Sequence, residues 1–450
     1  MAPMAPRSGV LTIPDPGATP GLPPSPFPHP TRLSADRLTP AFLQRYPAAD
    51  ILTSSDHLIE TVKGEQLEDS RRAHSAANIG IMYFRPTATK FVDAWVKLIL
   101  SDDKIWDQNA FNDLFRKGTN WTPDAKGLFL GYGGTLKIGI LPVSMFCSGH
   151  TFFTQRMHER LNLTPYVVHA TFQYAGTEGK RHRFREFMLW HDKKEYYDPA
   201  GGLLAFDASI PQALLDGARG AEWGPGQRSG ALTVEGTKGH FALVNHQLKQ
   251  IRTAFALAQV LGRTVVMPKM YCGMDRWWAP HHGIIPGSGL RTPFVCPMDH
   301  VFEIDTMLRK GEKFREYSLL ENPRMPQSVL DSRVVVKVCP GAEACEAGVD
   351  AAGVLTIPRN LKEGAMKEAL GAFRGTKILH FSTMMNAFGG FDSPGTTAQF
   401  MEKIKHWTSI WCCVHAHPGH IWYDMLFDVK GHKDRHMRVW EGEWFPKTGP

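Results

Sequence analysis

Polar residues that could take part in chemistry stand beside apolar runs of the sequence. Asn78 opens the run NIGIMYF, where an unpaired amide would be costly, and Gly80 leaves room for a close approach of backbone or ligand. Pairing of Asn78 with neighbouring backbone is an equal alternative to ligand contact. Asp107 and Gln108 follow Trp106 at the start of a helical pattern. A helix N-terminus favours an acidic cap and equally attracts an anionic ligand, so both interpretations of Asp107 stay open.

A second signal is the stretch VVHATFQYAGTEGKRHRFRE. His169 lies in a predicted strand, and a Gly-punctuated loop that delivers Lys180 and several arginines follows it. Such a loop can neutralise a diphosphate while the histidine binds a metal ion. Because site residues concentrate on loops that a scaffold positions, we favour this interpretation over a histidine of the core.

A third cluster spans residues 271–303 and mixes tryptophans with charged side chains. Its members are Asp275, Arg276, Trp277, Trp278, His281, His282, Asp299 and His300. Such residues hold sugars and aromatic rings, but the same mixture also builds ordinary loop cores, which we favour. The histidines lack the spacing of zinc-binding helices.

Alternating strand and helix patterns must position these residues. Buried strands are predicted at 50–52, 78–84, 136–143, 166–172, 264–268, 333–338 and 377–382. Helical spacing of apolar residues predicts helices around 91–99 and 110–115 and over 245–261. The alternation favours an α/β fold with a mainly parallel sheet.

Composition divides the chain into five parts. Ten of the first thirty residues are Pro, which predicts an extended tail over 1–40. An α/β unit over 41–206 is followed by a Gly-rich connection at 207–239, a second α/β unit over 240–428 and a charged tail over 429–450.

Charge and cysteine content exclude several classes of protein. The 450 residues carry a formal net charge of +7, a smaller excess than dedicated nucleic-acid-binding proteins usually have. The sequence contains neither an apolar stretch of about 18 residues nor a signal peptide. The seven cysteines form no CxxC motif. In an oxidising compartment Cys272 with Cys296 and Cys339 with Cys345 are the natural pairs, although connectivity stays open.

Several motifs together resemble one family. These are RYPAADILTSSDHL, AANIGIMYFRPT, DDKIWDQNAFNDL, LPVSMFCSGHTFF, VVHATFQYAGTEGKRHRFRE, HFALVNHQLKQIRTAFALA, DRWW, PFVCPMDHVFE and IWCCVHAHPGHIWYDM. In this order they cover residues 41–428 and resemble plant and algal glycosyltransferases of family 77. Within that family they are most similar to arabinosyltransferases that extend arabinose chains on hydroxyproline in extensin-type cell-wall glycoproteins.

The resemblance implies a fold and an activity. It implies a partial nucleotide-diphospho-sugar transferase domain of GT-A type, here followed by a Rossmann-like α/β domain. It also implies retaining transfer of L-arabinofuranose from UDP-arabinofuranose to arabinosylated hydroxyproline, with Mn²⁺ or another divalent cation. Members of the family lie on the lumenal side of the Golgi and have a type II membrane anchor, which this sequence does not contain.

The resemblance also implies roles for individual residues. His169 matches the histidine that completes the metal site, and Lys180 matches a lysine that meets the diphosphate. The residues implied to line the sugar pocket are Asp56, Asn78, Asp107, Gln108 and Asn112. Of these, Asp107 and Gln108 are the candidates for catalysis, and we expect Asp107 to lie close to the anomeric carbon.

One family motif is missing from the sequence. No Asp-x-Asp occurs in the chain, whereas family members use that motif to supply carboxylates to the metal. We expect an incomplete product of a longer arabinosyltransferase, because the polar pocket residues and the basic stretch are intact. The alternative is a truncated, catalytically inactive relative that binds a glycoprotein or another partner.

Overall fold

The computed structural model describes the chain in several stretches. They are residues 40–73, 76–219, 234–276, 283–285, 287–288, 290–341, 345, 347–407, 409–412 and 421–424. Apart from Pro40, the predicted Pro-rich tail lies outside the described residues, as does the predicted charged tail over 429–450.

Helices and strands alternate along much of the chain. The α-helices are α1 (Pro40–Leu43), α2 (Thr89–Ser101), α3 (Asp107–Arg116), α4 (Met157–Arg160), α5 (Gly176–Glu186), α6 (Lys194–Tyr197), α7 (Gln212–Gly217), α8 (Val234–Leu261), α9 (Ile304–Arg309), α10 (Gln327–Asp331), α11 (Glu363–Ala369) and α12 (Pro394–Ile404). The strands are β1 (Ile51–Ser55), β2 (Ala77–Phe84), β3 (Phe129–Gly131), β4 (Leu136–Ile140), β5 (Phe146–Ser148), β6 (Val167–His169), β7 (Leu203–Phe206), β8 (Thr264–Val266), β9 (Met270–Cys272), β10 (Phe294–Cys296), β11 (Phe314–Arg315), β12 (Arg333–Val338), β13 (Gly348–Val349), β14 (Leu355–Ile357), β15 (Leu361–Lys362), β16 (Ile378–Phe381), β17 (Phe388–Gly390), β18 (Ser409–Cys412) and β19 (Ile421–Asp424). Short 3-10 helices lie at Pro86–Ala88, Met298–His300, Leu319–Glu321 and Gly371–Phe373, and a π-helix lies at His150–Thr154.

The described residues fold as two compact units. The first unit runs to Cys147 and includes His158–His169, and the second comprises Ser148–Met157 and the chain from Ala170 onward. Every apolar run predicted as a strand contains one in the structure, and the helices predicted from apolar spacing are confirmed as α2, α3 and α8. The α/β fold class is therefore confirmed.

The sheet of the first unit has the strand order β2-β1-β4-β3. β1 pairs in parallel with β4 but antiparallel with β2, and β3 and β4 form an antiparallel pair. The prediction of a mainly parallel sheet is wrong for this unit. The connection from β3 to β4 is a short turn in which Tyr132, Gly133 and Gly134 have positive φ, and such a turn can only join antiparallel neighbours.

Aromatic residues fill the core beneath this sheet. Phe91 of α2 and Phe111 of α3 are fully buried and meet edge to face, with ring centroids 5.3 Å apart. Phe115 follows one turn after Phe111 and packs against Phe129 of β3. The apolar stripe of α3 therefore anchors the helix against the sheet, and its polar face is left for the site.

The sheet of the second unit has the strand order β11-β8-β7-β16-β12-β14-β13. Neighbouring strands from β11 to β14 run parallel, and β13 joins the edge antiparallel to β14. β7 pairs with β8 on one side and β16 on the other, so Leu203–Phe206 belongs to this sheet although the sequence groups it with the preceding residues. Pairing with strands that come later in the chain buries the apolar side chains of β7. The connection at 207–239 therefore does not separate β7 from the sheet of the second unit.

The predicted Gly-rich connection is partly helical. It contains α7, and α8 begins at Val234, earlier than the Asn245 at which its apolar pattern starts. The side chains of Leu248, Ile251 and Leu257 on α8 are buried in the core of the second unit. Within the described residues, no helix combines the length and the apolar character needed to span a membrane.

Two disulfides join the cysteine pairs that the sequence singles out. Cys272 of β9 bonds Cys296 of β10, and Cys339 bonds Cys345. The first bond crosses the antiparallel pair β9 and β10 and closes the longer loop, with a sequence separation of 24 against 6 for the second.

We expect the two disulfides to stabilise the fold unequally. Replacing Cys272 and Cys296 by Ser should lower the free energy of unfolding by about 3 kcal/mol, and replacing Cys339 and Cys345 by about 2 kcal/mol, because the shorter loop loses less entropy on closure. Denaturant unfolding of both double variants measures the difference. Equal stability of the first variant and the parent protein would contradict the expectation.

Candidate functional site

Asn78 lies where the pairing of β1 and β2 is irregular. The register shifts between Thr53 and Ser54, so that Thr53 faces Met82 whereas Ser54 faces Asn78. This bulge takes the backbone N–H groups at residues 79–80 out of the ladder. Backbone donors inside a protein need partners, and polar side chains supply them here.

The side chain of Asn78 is 4% exposed and uses both ends of its amide. Its Oδ1 accepts the backbone N–H of Gly80 at 2.8 Å and lies 2.9 Å from Nδ1 of His169. Its Nδ2 donates to Oδ1 of Asp56 at 2.8 Å. Asn78 therefore satisfies neighbouring backbone, as one interpretation of the sequence holds, and also joins two further predicted site residues.

The amide determines which ring nitrogen of His169 carries a hydrogen. An amide oxygen can only accept, so Nδ1 of His169 is the donor, and in the neutral ring the lone pair belongs to Nε2. A ring held in this way presents Nε2 as the ligand atom. Gly80 leaves room for the ring, because a Cβ atom at that position would overlap the imidazole.

Asp56 directly follows β1 and accepts hydrogen bonds at both carboxylate oxygens. Oδ1 accepts from Asn78, and Oδ2 accepts from Nε2 of Gln108 at 3.2 Å. Burial raises the pKa of Asp56 above its ordinary value, although the two amide hydrogen bonds favour the charged form. Asp56 thus connects the end of β1 with the start of α3.

The first turns of α3 carry the other amide residues. Oε1 of Gln108 lies 3.4 Å from the backbone nitrogen of Ile79, which the bulge leaves without a ladder partner. Asn112 accepts from the backbone N–H of Ala77 and donates to its carbonyl oxygen, each at 2.9 Å. These contacts make Asn112 the tie between α3 and β2, and its contact with a donor sugar stays a prediction.

Asp107 is exposed at the first position of α3. Its Oδ1 accepts the backbone N–H of Gln108 at 2.7 Å, and Nε1 of Trp95 donates to its carbonyl oxygen at 2.9 Å. The N-cap residue is Trp106, one position earlier than the capping interpretation expects, and Asp107 satisfies one of the free donors from the first helical position. Its exposure also leaves the carboxylate accessible to a ligand.

Lys180 lies in the second unit, and its surroundings differ from the prediction. The stretch predicted as a loop is α5, which begins after Ala175 at φ 75°, and Lys180 is exposed on it. The glycines predict a loop, but Gly179 is required by close packing at the start of the helix. A Cβ atom at Gly179 would overlap the carbonyl oxygen of Tyr174. The lysine, arginine and glutamate residues that follow Gly179 favour a helix.

The third cluster is a buried ionic network as far as the structure describes it. Oδ1 of Asp275 lies 2.9 Å from Nε2 of His300, and Nη1 of Arg276 donates to the carbonyl oxygen of Asp299 at 2.6 Å. All four residues are at most 2% exposed. These contacts support the loop-core interpretation. Trp277, Trp278, His281 and His282 lie outside the described residues.

Sequence reasoning missed the partners of the basic residues in α5. Arg183 is one of the arginines that the sequence places in a loop after His169, but it is 1% exposed and forms an ion pair with Asp299 at 2.8 Å. No local signal marks this pair, because 116 residues separate its members.

The residues around His169 meet only part of the needs of a divalent cation. The ring presents one nitrogen ligand, whereas Mn²⁺ prefers several oxygen ligands. Among the described residues, no group of three or more His, Cys, Asp and Glu side chains is placed to hold a metal ion. Nε2 of His169 can therefore serve as one ligand of a metal ion, but the other described residues do not complete its coordination.

Known proteins share much of this sequence. Residues 32–184 match the family described as nucleotide-diphospho-sugar transferase. A curated relative, arabinosyltransferase XEG113 of Arabidopsis thaliana, is 45% identical over 405 residues, which cover 86% of this chain and 60% of the relative. The chain thus spans about three fifths of that relative's length. No solved structure matches this chain.

Replacing Gly80 by Ala should disturb the site directly. We expect Gly80→Ala to displace the His169 ring and to destabilise the protein by about 1–3 kcal/mol, as overpacking does. Nitrogen NMR of the imidazole should show loss of the fixed Nδ1–H form. Gly375→Ala is the control, because its Cβ meets nothing within 4 Å. An unchanged His169 signal in Gly80→Ala would contradict the geometry.

Proposed function

We propose that this chain is a glycosyltransferase of family 77 and transfers a sugar from a UDP donor. One observation carries the proposal: the first unit joins Asp56, Asn78, Gln108 and His169 by side-chain hydrogen bonds. These residues come from separate parts of the sequence, and the family resemblance assigned each of them to the donor site. The bulge requires partners for two backbone N–H groups, which Asn78 and Gln108 supply, but it does not by itself require Asp56 and His169.

The donor, the acceptor and the cation are proposed from the relative. That relative is an arabinosyltransferase, so we propose UDP-arabinofuranose as donor and arabinosylated hydroxyproline of a cell-wall glycoprotein as acceptor, with retention at the anomeric carbon. We propose Mn²⁺ as the cation, with Nε2 of His169 as one ligand. Because the described residues do not complete its coordination, we derive no step through the metal.

The chain's own residues have distinct proposed tasks. Lys180 would offset charge on the donor diphosphate, and this charge grows as UDP leaves. Asn78 orients His169, and Gln108 orients Asp56. We place Asp107 near the anomeric carbon, because its exposed carboxylate stands directly before Gln108 at the start of α3.

We propose that the protein works in the Golgi lumen. The two disulfides support this placement, because such bonds persist in oxidising compartments and are rare in the cytosol. The family resemblance supplies the Golgi as the compartment.

UDP binding by calorimetry, with and without Mn²⁺, tests the donor proposal. We expect the full chain to bind UDP more tightly with Mn²⁺, and His169→Ala to weaken that binding at least about tenfold. The control is His191→Ala, because His191 is exposed and contacts Arg324. A folded chain that does not bind UDP would refute the donor proposal and favour a non-catalytic binding protein.

Asp107→Asn separates chemistry from binding. Asn preserves the helix N-terminus, so we expect UDP affinity to change less than about twofold, whereas transfer to an arabinosylated hydroxyproline peptide should fall at least about 100-fold. Asp113→Asn, an exposed carboxylate of the same helix, serves as the control and should retain activity. Unaltered turnover of Asp107→Asn would remove Asp107 from the reaction.

A further inference from the structure

The second unit contains a carboxylate that holds α5 from two sides. We propose that Asp299 is a positioning residue: by fixing both the start and the later turns of α5, it sets the place of Lys180 for the donor diphosphate. This inference rests on the proposed function, which gives Lys180 its ligand. The inference gives Asp299, which does not itself touch the donor, an indirect part in donor recognition.

Each oxygen of Asp299 holds a different part of the α5 segment. Oδ2 accepts the backbone N–H of Tyr174 at 2.9 Å, two residues before the helix. Oδ1 accepts Nε of Arg183 at 2.9 Å, and Nη2 of the same guanidinium lies 2.8 Å from it. Lys180 lies between these two anchors in the sequence.

Both charges of this pair are buried. Asp299 and Arg183 are each 1% exposed. Burial alone would raise the pKa of Asp299, but the Arg183 guanidinium and the hydrogen bonds lower it well below its ordinary value, so the group is a carboxylate at neutral pH. Breaking one half of such a pair leaves an uncompensated buried charge.

Further contacts restrict the residues before α5. The guanidinium of Arg276 lies 3.6 Å from the ring centroid of Tyr174, and Nδ1 of His300 lies 3.4 Å from Oδ1 of Asp299. Arg183 also donates from Nη2 to the carbonyl oxygen of Phe172 at 3.2 Å. The backbone leading into α5 is thus held by several directional contacts.

The charges of α5 single out Lys180. Arg181 pairs with Glu178 at 2.5 Å, Arg185 pairs with Asp192 at 2.6 Å, and Arg183 pairs with Asp299. In the described part of the chain, Lys180 has no such ion pair and is exposed. It is therefore the cation of α5 that can accept an added anion at the least electrostatic cost.

Stability alone explains this arrangement poorly. A buried ion pair often contributes no more to stability than apolar residues of similar volume would. A directional carboxylate that bonds both a backbone N–H and an arginine, however, defines the position of a helix. The side chain of lysine is flexible, so its own bonds do not fix where its charge lies. The position of its backbone therefore decides whether the charge can reach a diphosphate.

The experiment measures UDP affinity of the full chain, four single variants and two double variants by calorimetry, with thermal unfolding in parallel. The double variants combine Lys180→Ala with Asp299→Asn and with Arg183→Lys. Asp299→Asn removes the charge at similar shape, and Arg183→Lys is a milder change that keeps the charge and loses the planar fork. Lys180→Ala removes the proposed ligand. Glu312→Gln is the matched control, because Glu312 is also buried, pairs with Lys403 at 2.9 Å and accepts from Trp407.

We expect Asp299→Asn to weaken UDP binding about tenfold, and Arg183→Lys to weaken it by less, since small misplacements of a binding group are costly. In a Lys180→Ala background, Asp299→Asn should add less than about a twofold loss, because the two residues act through one contact. Glu312→Gln should lower the thermal midpoint with UDP affinity unchanged. If Asp299→Asn does not fold, Arg183→Lys and its combination with Lys180→Ala decide the matter.

Other outcomes overturn the inference and separate it from the proposed function. If Asp299→Asn and Arg183→Lys lower the thermal midpoint but bind UDP like the parent, the network is structural only. If their losses add fully to that of Lys180→Ala, Asp299 does not act through Lys180. If the parent chain itself does not bind UDP, the proposed function fails and the inference fails with it.

Discussion

The candidate site depends on the fixed polarity of one side-chain amide. The oxygen of Asn78 can only accept and its nitrogen can only donate, so one rotamer decides the partners of Gly80, Asp56 and His169 together. The bulge between β1 and β2 creates the demand, because it leaves backbone N–H groups that side chains must satisfy. An aspartate or a leucine at position 78 could not serve all three partners. The side chain that satisfies the irregular backbone is therefore the same one that orients His169 in the candidate site.

In the second unit, the partners of a buried acid decide its charge. Glu186 and Asp299 are both almost fully buried. Burial raises the pKa of Glu186 to about 8, because the hydrogen bond from the backbone of Met298 offsets only part of it. Asp299 faces the Arg183 guanidinium and keeps its charge. Burial also lowers the pKa of His182, which lies one turn before Glu186 on α5, to about 3, so its ring is neutral. Equal burial thus gives opposite protonation, and only the charged acid can hold α5 by an ion pair.

The elements could be predicted because their signals are local. Apolar spacing of 3.6 residues places α2, α3 and α8, and short apolar runs place β1, β2, β12 and β16. Glycine content, in contrast, was misleading. The glycines of α5 indicate a loop in the sequence, but Gly179 is needed where the helix meets the carbonyl of Tyr174. Strand direction in the first sheet also differs from the prediction, because apolar runs are typical of buried strands but do not fix the direction of an individual pair of strands.

The sequence by itself determined which side chains are available: an amide beside a strand, an acid and an amide at a helix start, a histidine in a strand and a lysine among arginines. Only the tertiary structure decided what they do. Asn78 and His169 are 91 residues apart, and Arg183 and Asp299 are 116 apart, so no local pattern could pair them. Hydrogen bonds act over about 3 Å and depend on direction. Only folding brings such groups to that distance. In the folded chain Lys180 is exposed, whereas Arg183, three residues later, is buried and holds α5 in place.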